Sequence, residues 1–300
     1  MNAAIELQEL SKTYGSRRGL AGLSLQVDEG EVFGYLGPNG AGKSTTIRLL
    51  LDLIRPTGGT VRVLGLDPRA DAVELHRRIG YLAGDFVVDG RQKVSECLAF
   101  LGDLRGGVPQ TRIDELAERL QLDTHARIKS LSKGNRQKVG LVQAFMHRPE
   151  LLILDEPTSG LDPLVQQTFL DLVREAKAAG QTVFMSSHIM SEVEAVADRV
   201  AIIREGRLVA LDTVAELRSR SYLRVRITFA EQVDPREFEL PGVTGLTVDG
   251  TTLACRVDGD PDPLIKAAAR YTVRRLSVEG ADLEDLFFTY YNGEEPGHAA

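Results

Sequence analysis

The chain has 300 residues, 43% of them hydrophobic and 26% charged, which is typical of a folded protein with room for two domains. Its formal net charge of −7 argues against a concentrated basic face, so no nucleic-acid partner is expected. The apolar runs, such as Leu151 to Leu154, are far shorter than the roughly 20 residues that span a bilayer, and the N-terminus lacks the features of a signal peptide. We therefore expect the protein to remain in the cytoplasm.

Residues 1–220 are predicted to form an α/β domain, because apolar runs typical of buried strands alternate with helical patterns. A strand over Glu31 to Leu36 leads through a glycine-rich turn to a helix from Lys43 to about Ile54. Residues of about 90–148 are predicted to be a helical insertion. One helix face in it carries apolar residues at 3.6-residue spacing, namely Ile113, Leu116, Ala117 and Leu120. The further strands predicted for a parallel sheet are Leu151 to Leu154, Thr182 to Met185 and Arg199 to Ile203.

Residues 221–300 are predicted to form a small α+β accessory domain. Leu223 to Phe229 alternates apolar and polar residues, as does a strand with one solvent-facing side. Asp249-Gly250 predicts a hairpin with a type I′ turn. A helix from about Pro263 to Arg270 and a strand from Thr272 to Val278 are predicted to follow. A closing helix is expected after Asp282, with one apolar face made of Leu283, Leu286, Phe287 and Tyr290.

A phosphate-binding loop is predicted between the first strand and the first helix. Its residues fit the pattern G-x-x-x-x-G-K-[ST]: Gly37, Pro38, Asn39, Gly40, Ala41, Gly42, Lys43, Ser44 and Thr45. Glycines let backbone N–H groups converge on phosphate oxygens, and the following helix directs its positive end at the same anion. Lys43 is expected to reach the β- and γ-phosphates and the Ser44 hydroxyl to ligate Mg²⁺, so the motif predicts nucleotide binding.

Two adjacent carboxylates follow the buried strand that ends at Leu154. Asp155 is placed to hold Mg²⁺, and Glu156 is placed to orient or deprotonate an attacking water molecule. Two acids beside a buried apolar strand are costly unless a cation or water chemistry requires them. The pattern therefore predicts hydrolysis of the bound nucleotide.

Residues 131–138, Leu-Ser-Lys-Gly-Asn-Arg-Gln-Lys, resemble the LSGGQ signature of ABC ATPases. Together with the phosphate loop and the carboxylates, in the same order, they make residues 5–217 similar to the nucleotide-binding subunit of an ABC transporter. In that family two subunits face head to tail, and the signature of one closes over the ATP on the phosphate loop of the other. The resemblance implies that Ser132 and Gly134 bind the γ-phosphate and that Asn135 adds hydrogen bonds there.

Three further positions match the family. Tyr14, in Ser-Lys-Thr-Tyr-Gly, matches the aromatic residue that stacks on adenine. Ser159 to Asp162 matches the D-loop, so the resemblance implies that Asp162 lies near the nucleotide at the dimer interface. His188, after the predicted strand that ends at Met185, matches the switch histidine that contacts the γ-phosphate.

Three positions depart from the family pattern. Asn135 replaces the glutamine of the signature, and its side chain can still donate and accept hydrogen bonds. Gly84 stands where the family usually has Gln or Glu, in the loop that joins the core to the helical insertion. A metal-facing side chain is therefore missing there unless Asp85 takes its place as a metal ligand. In the signature, Lys133 replaces glycine and adds a charge near the nucleotide, and the sequence assigns no role to it.

The C-terminal segment carries a weaker resemblance. Residues 282–287, Asp-Leu-Glu-Asp-Leu-Phe, are similar to the end motif of subunits that serve ABC-2 type exporters, including drug and antibiotic efflux systems. This resemblance implies an exporter motor that uses ATP and Mg²⁺ at the cytoplasmic face of the cell membrane. The implied partners are a polytopic membrane permease subunit and, in the presence of ATP, a second copy of the chain.

Two alternatives remain at this point. One is a soluble ABC ATPase acting on nucleic acid or ribosomes, although such proteins usually carry two ATPase halves or a long coiled coil. The other is a nucleotide-gated interaction module with little catalysis, which Gly84 would favour.

Overall fold

The computed structural model describes residues 2–15, 17–88, 90–219 and 223–280. The chain divides into two compact units, Met1–Val214 and Ala215–Ala300, each with a hydrophobic core of its own. Within the described stretches, no helix has the length and hydrophobicity that a bilayer crossing requires. The closing helix predicted after Asp282 lies outside the described residues.

The first unit contains strands and helices in alternation. Its strands are β1 (Ala3–Tyr14), β2 (Arg17–Asp28), β3 (Val32–Leu36), β4 (Gly58–Val63), β5 (Ile79–Leu82), β6 (Leu151–Asp155), β7 (Thr182–Ser187), β8 (Arg199–Arg204) and β9 (Arg207–Thr213). Its helices are α1 (Lys43–Leu50), α2 (Ala72–Arg78), α3 (Val94–Leu104), α4 (Gln110–Arg119), α5 (Lys133–Phe145), α6 (Pro163–Ala178) and α7 (Met190–Glu194). Helix α8 (Val214–Ser219) contains the boundary between the two units.

The larger sheet of the first unit has the strand order β5–β6–β7–β3–β8–β9. Neighbours from β5 to β8 run parallel, and β9 is the antiparallel partner of β8. Every residue of β3, β6 and β7 is buried, as expected for central strands that are covered on both faces. The strands predicted from short apolar runs are thus confirmed. Because β3, β6 and β7 are parallel neighbours, the residues that follow them meet at one end of the sheet.

A smaller antiparallel sheet, with the order β2–β1–β4, does not appear among the sequence predictions. The pairing of β1 with β2 shifts register between Leu7 and Leu10. Glu9 lies in this stretch with a φ of 49°, a left-handed conformation that accompanies a β-bulge. The bulge interrupts the period-two pattern from which a strand is predicted. This sheet carries Tyr14 at the end of β1 and Gly19 in β2.

Helix α1 ends at Leu50, so the predicted end near Ile54 is wrong by about one turn. The N–H of Leu53 donates to the carbonyl of Arg48 at 2.9 Å, and the N–H of Asp52 donates to that of Leu49 at 3.2 Å. These are the two hydrogen bonds of a Schellman C-cap. Its left-handed residue is Asp52, with a φ of 55°, rather than the glycine that usually marks such an end in a sequence.

The helical insertion lies between β5 and β6 and consists mainly of α3, α4 and α5. The predicted apolar face of α4 is confirmed, because Ile113, Leu116 and Leu120 are at most 1% exposed and Ala117 is 3% exposed. Helix α5 begins after Ser132, whose Oγ accepts a hydrogen bond from the N–H of Asn135 at 3.2 Å. This N-cap fixes the start of the helix within the predicted signature.

The second unit contains an antiparallel sheet with helix α9 (Asp262–Ala268). Its strands, β10 (Leu223–Phe229), β11 (Val243–Asp249), β12 (Thr252–Val257) and β13 (Val273–Gly280), have the order β11–β12–β10–β13. The rings of Phe229, Phe238 and Tyr271 pack together in its core, with centroids at most 6.0 Å apart. The helix and last strand predicted for this region are confirmed to within two residues at each end.

The predicted hairpin joins β11 and β12, but its predicted type I′ turn is wrong. Asp249 pairs with Thr252, so the loop residues are Gly250 and Thr251. A type I′ turn needs positive φ at both loop residues, whereas here only Gly250 has one, at 60°. Thr251 is β-branched and avoids the left-handed region, so the loop has the glycine-first pattern of a type II′ turn.

Candidate active site

The loop between β3 and α1 is shaped by its glycines. Gly40 and Gly42 have φ values of 83° and 114°, which glycine adopts without strain. A Cβ on Gly37 would lie 2.5 Å from the carbonyl oxygen of Ile203, so no larger residue fits there. The loop is closed by a hydrogen bond of 3.1 Å from the N–H of Ala41 to the carbonyl of Pro38. The phosphate loop therefore needs glycine at these positions, because of positive φ at Gly40 and Gly42 and because of close packing at Gly37.

Lys43 is held under this loop. Its side chain is only 6% exposed, and its Nζ donates to the carbonyl oxygen of Gly37 at 2.6 Å. The same Nζ lies 3.0 Å from Oε1 of Glu156, whose side chain is 21% exposed. A nearly buried ammonium group beside a ring of backbone groups is suited to bind a phosphate oxygen.

The two predicted carboxylates lie at the end of β6 and are fixed by β7. Asp155 is 5% exposed, and its Oδ1 accepts a hydrogen bond from Oγ of Ser186 at 2.6 Å. The N–H of Glu156 lies 3.2 Å from the same Oγ. Glu156 has a φ of 49°, a strained conformation for a non-glycine residue, and such strain is frequent at functional sites. Ser186 thus orders the Asp155 carboxylate and the backbone of Glu156, although no role was predicted for it.

His188 follows β7, as predicted, and contacts Glu156. Its Nδ1 lies 2.6 Å from Oε2 of Glu156, and its side chain is about half exposed. Glu156 therefore bridges Lys43 and His188, one carboxylate oxygen to each. The structure brings the three residues predicted to be catalytic into one contiguous group.

A cavity of about 410 Å³ opens above this group. The predicted residues that line it are Tyr14, Pro38, Asn39, Gly40, Gly42, Lys43, Ser44, Thr45 and Glu156. Gly19 and Arg48 also line it and were not predicted. Gly19 is needed because a Cβ there would lie 2.9 Å from the ring of Tyr14. Arg48 is a single arginine on α1, and no sequence pattern distinguishes an arginine that lines a cavity from one that faces solvent.

Gly37, Ala41, Asp155 and His188 do not line this cavity themselves but are bonded partners or chain neighbours of residues that do. Other predicted site residues also lie outside it. Ser132, Gly134 and Asn135 form the N-terminal turn of α5 and do not line it. Asp162 caps α6, since its Oδ1 accepts from the N–H of Val165 at 3.0 Å, and it does not line the cavity either.

Position 84 faces the buried carboxylate directly. A Cβ on Gly84 would lie 3.4 Å from Cγ of Asp155, in ordinary van der Waals contact. Asp85, the predicted substitute ligand, is exposed and does not line the cavity. Nearby, burial and, to a lesser extent, the charge of Asp155 raise the pKa of Tyr81, which keeps its phenol protonated.

The chain is similar to known proteins over nearly its whole length. The daunorubicin/doxorubicin resistance ATP-binding protein DrrA of Streptomyces peucetius is 37% identical over 301 residues, which cover 95% of this chain and 91% of that protein. The bacitracin transport ATP-binding protein BcrA of Enterococcus faecalis is 36% identical over 98% of each chain. The family model described as ABC transporter matches residues 20–159. The chain belongs to the ATP-binding subunits of ABC transporters.

Solved structures agree with this family. The structure of an ATP-binding subunit of an ABC transporter superimposes with a TM-score of 0.66 and 30% identity, over 72% of this chain and 92% of that one. A dimeric post-hydrolysis state of the ATP-binding cassette MJ0796, bound to ADP and Pi, shares the fold with a TM-score of 0.63 at 23% identity. The predicted P-loop NTPase core with its helical insertion is confirmed, and the protein is an ABC-type ATPase.

Proposed function

We propose that this chain is the ATP-hydrolysing motor of an ABC exporter, that it closes as a homodimer around ATP, and that it drives a separate polytopic membrane permease from the cytoplasmic face. The observation that carries this proposal is the bridge from Glu156 to Lys43 and His188 beside the phosphate loop. It joins a phosphate-binding cation to a general base in one site.

In this proposal the nucleotide occupies the cavity above α1. The ring of Tyr14 stacks on the adenine, and residues 37–45 surround the phosphates. Lys43 binds the terminal phosphate oxygens through its ammonium group. The bound phosphate competes with Glu156 for Lys43, which frees Oε1 of Glu156 to accept a proton from the attacking water. His188, on the other carboxylate oxygen, keeps Glu156 oriented and contacts the γ-phosphate.

The donor set beside Lys43 fits Mg²⁺. Ser44 supplies a hydroxyl and Asp155 a buried carboxylate, and both are the hard oxygen donors that this ion prefers. Among the described residues no cluster of three or more His, Cys, Asp or Glu side chains forms a metal site. That agrees with an ion that takes one or two protein ligands and completes its shell with phosphate oxygens and water. When bound, it would neutralise charge that develops on the transferred phosphoryl group.

The homodimer is supported by the position of the signature. Ser132, Gly134 and Asn135 lie outside the cavity that holds Lys43 in the same chain, so we assign them to the nucleotide of a second copy. The N-terminus of α5 directs the positive end of the helix dipole towards an anion. Asp162 is assigned to the same interface. The dimeric cassette named above supports this arrangement.

The direction of transport is inferred from the relatives. Relatives named for drug resistance and for bacitracin transport cover 95% and 98% of this chain, so they extend into residues 221–300, and we assign this region as the accessory domain of an exporter subunit. The alternative of a soluble ATPase acting on nucleic acid or ribosomes gains no support from these relatives.

An exposed apolar patch in the first unit offers a docking surface for the membrane subunit. Val73 on α2 and Leu104 on α3 line one shallow depression and are 71% and 67% exposed. Phe100 lies one turn before Leu104 on α3 and is 55% exposed. Large apolar side chains that are exposed and clustered in this way are typical of protein interaction sites.

Leu104→Asp is expected to reduce recovery of a polytopic membrane protein with the tagged chain by about tenfold or more, because a charge at an interface centre is costly. The measurement is a pull-down in mild detergent from native membranes, with partners identified by mass spectrometry. Leu53→Asp is the matched control, since Leu53 is 54% exposed and lies outside the patch. Recovery of the wild-type chain with ribosomes, or with no membrane protein, would contradict the proposed function.

Tyr14→Ala is expected to weaken ATP binding by about five- to a hundredfold, whereas Tyr14→Phe keeps it, because stacking needs the ring and not the hydroxyl. Tyr14 is 43% exposed and supports a cation contact, with Lys12 Nζ 5.2 Å from its ring centroid. Titration with a fluorescent ATP analogue measures both variants. Equal losses in the two variants would show that the ring does not stack on the base.

A further inference from the structure

Lys133 stands at a signature position where the family pattern has glycine, and the proposed function leaves its side chain without a role. The side chain is exposed and runs from the start of α5 towards residues 156–162, which we call the hydrolysis loop. Its Nζ donates a hydrogen bond to Oγ of Ser159 in this loop at 3.1 Å.

Two glycines, Gly134 and Gly160, allow α5 and the hydrolysis loop to approach closely enough for the hydrogen bond between Lys133 and Ser159. A Cβ on Gly134 would lie 2.2 Å from the carbonyl oxygen of Gly160, so the start of α5 packs directly on the hydrolysis loop. Gly160 has a φ of 78°, and a Cβ on it would lie 3.8 Å from Cδ of Lys133. The stem of Lys133 therefore passes along Gly160 to reach Ser159.

Further along α5, two more side chains hold the same loop. Gln137 is 2% exposed, and its Nε2 donates to the carbonyl oxygens of Glu156 and Pro157, both at 3.2 Å. Lys138 is 7% exposed, and its Nζ lies 3.9 Å from Oδ2 of Asp162. The loop that begins with Glu156 is thus attached to α5 from its first residue to its last.

We propose that Lys133 is a positioning residue that fixes the hydrolysis loop to the N-terminus of α5 through Ser159. This inference rests on the proposed function, in which that N-terminus binds the nucleotide of the second copy. The signature and Glu156 then move together, so closure of α5 on one nucleotide places Glu156 correctly at the other. Gln137 holds the start of the loop, and Lys133 holds its middle.

The test is a double-mutant cycle on steady-state ATP turnover with Lys133→Met, Ser159→Ala and the two combined. Lys133→Met keeps the stem along Gly160 and removes the donor. Each single variant is expected to lower kcat by about three- to tenfold, the worth of one charge-assisted hydrogen bond at an exposed position. The double variant is expected to be no slower than the slower single one, because both remove the same bond.

Further readouts separate positioning from a merely structural role. The KM for ATP should change by less than about twofold, because the Lys133 ammonium group is bonded to Ser159, and Lys133→Arg should restore kcat. Unfolding temperatures should match the wild type, since Lys133 is exposed. Wild-type kcat in Ser159→Ala, or a double variant slowed by the product of the single effects, would overturn the inference. A wild-type protein without ATP turnover would instead overturn the proposed function.

Discussion

Replacing Glu156 with glutamine is expected to lower ATP turnover by about 10²- to 10⁴-fold, the usual contribution of a general base. The amide has nearly the same shape but does not take a proton from water. Its oxygen still accepts a hydrogen bond from Lys43, and its NH2 group donates to Nδ1 of His188 when the imidazole proton is on Nε2, so the site keeps its geometry. ATP affinity should therefore be retained or increased, because a negative charge beside the γ-phosphate is removed.

Turnover is measured as phosphate release and affinity with a fluorescent ATP analogue. Glu150→Gln is the matched control: Glu150 directly precedes β6, pairs with Arg78 at 2.6 Å and has a side chain that is 58% exposed. An exposed ion pair of this kind contributes little, so this variant should turn over at the wild-type rate. Retention of full turnover in Glu156→Gln would exclude the assigned role.

Lys43→Ala is expected to lower turnover at limiting ATP for a different reason, namely weaker ATP binding. A charge-assisted contact to phosphate is lost, and Glu156 keeps its negative charge with no cation to offset it. Together these effects should weaken ATP binding by about 10- to 100-fold. Affinity therefore distinguishes the two variants, since it falls in Lys43→Ala and is kept in Glu156→Gln.

The control for this change is Lys177→Ala. Lys177 lies on α6, pairs with Asp198 and does not line the cavity, so this variant should bind ATP as the wild type does. A cooperative thermal unfolding transition without ATP checks that Lys43→Ala is folded, and a smaller rise in unfolding temperature on adding ATP reports its weaker binding. Wild-type affinity in Lys43→Ala would contradict the phosphate-binding role of this residue.

Site residues could be predicted from the sequence where they lie at the ends of strands that could themselves be predicted. Asp155 ends a buried strand, and the phosphate loop, Glu156 and His188 each follow one. Parallel neighbouring strands bring such positions together. Short apolar runs identified those strands, because a strand covered on both faces has no polar side. The three residues that contact one another at this site, Lys43, Glu156 and His188, were therefore predictable from the sequence.

The rest depends on contacts between distant segments or on unusual backbone. Ser186, Arg48 and Gly19 act through neighbours that only the fold brings near, and none stands in a distinctive pattern. The antiparallel sheet was missed because the bulge at Glu9 breaks its alternation. The end of α1 was missed because Asp52 adopts a conformation that glycine usually signals. In the last two cases, a non-glycine residue, Glu9 or Asp52, adopts a left-handed conformation that cannot be predicted from its residue type.

The most direct test of the proposed motor is the mass of Glu156→Gln in solution, measured by light scattering with and without ATP and Mg²⁺. In the proposed homodimer the signature of one copy completes the site of the other, so slow hydrolysis should keep the two copies together. We expect the mass of a single chain without nucleotide and twice that mass with ATP and Mg²⁺. A single-chain mass with saturating ATP would contradict a homodimer that closes around the nucleotide.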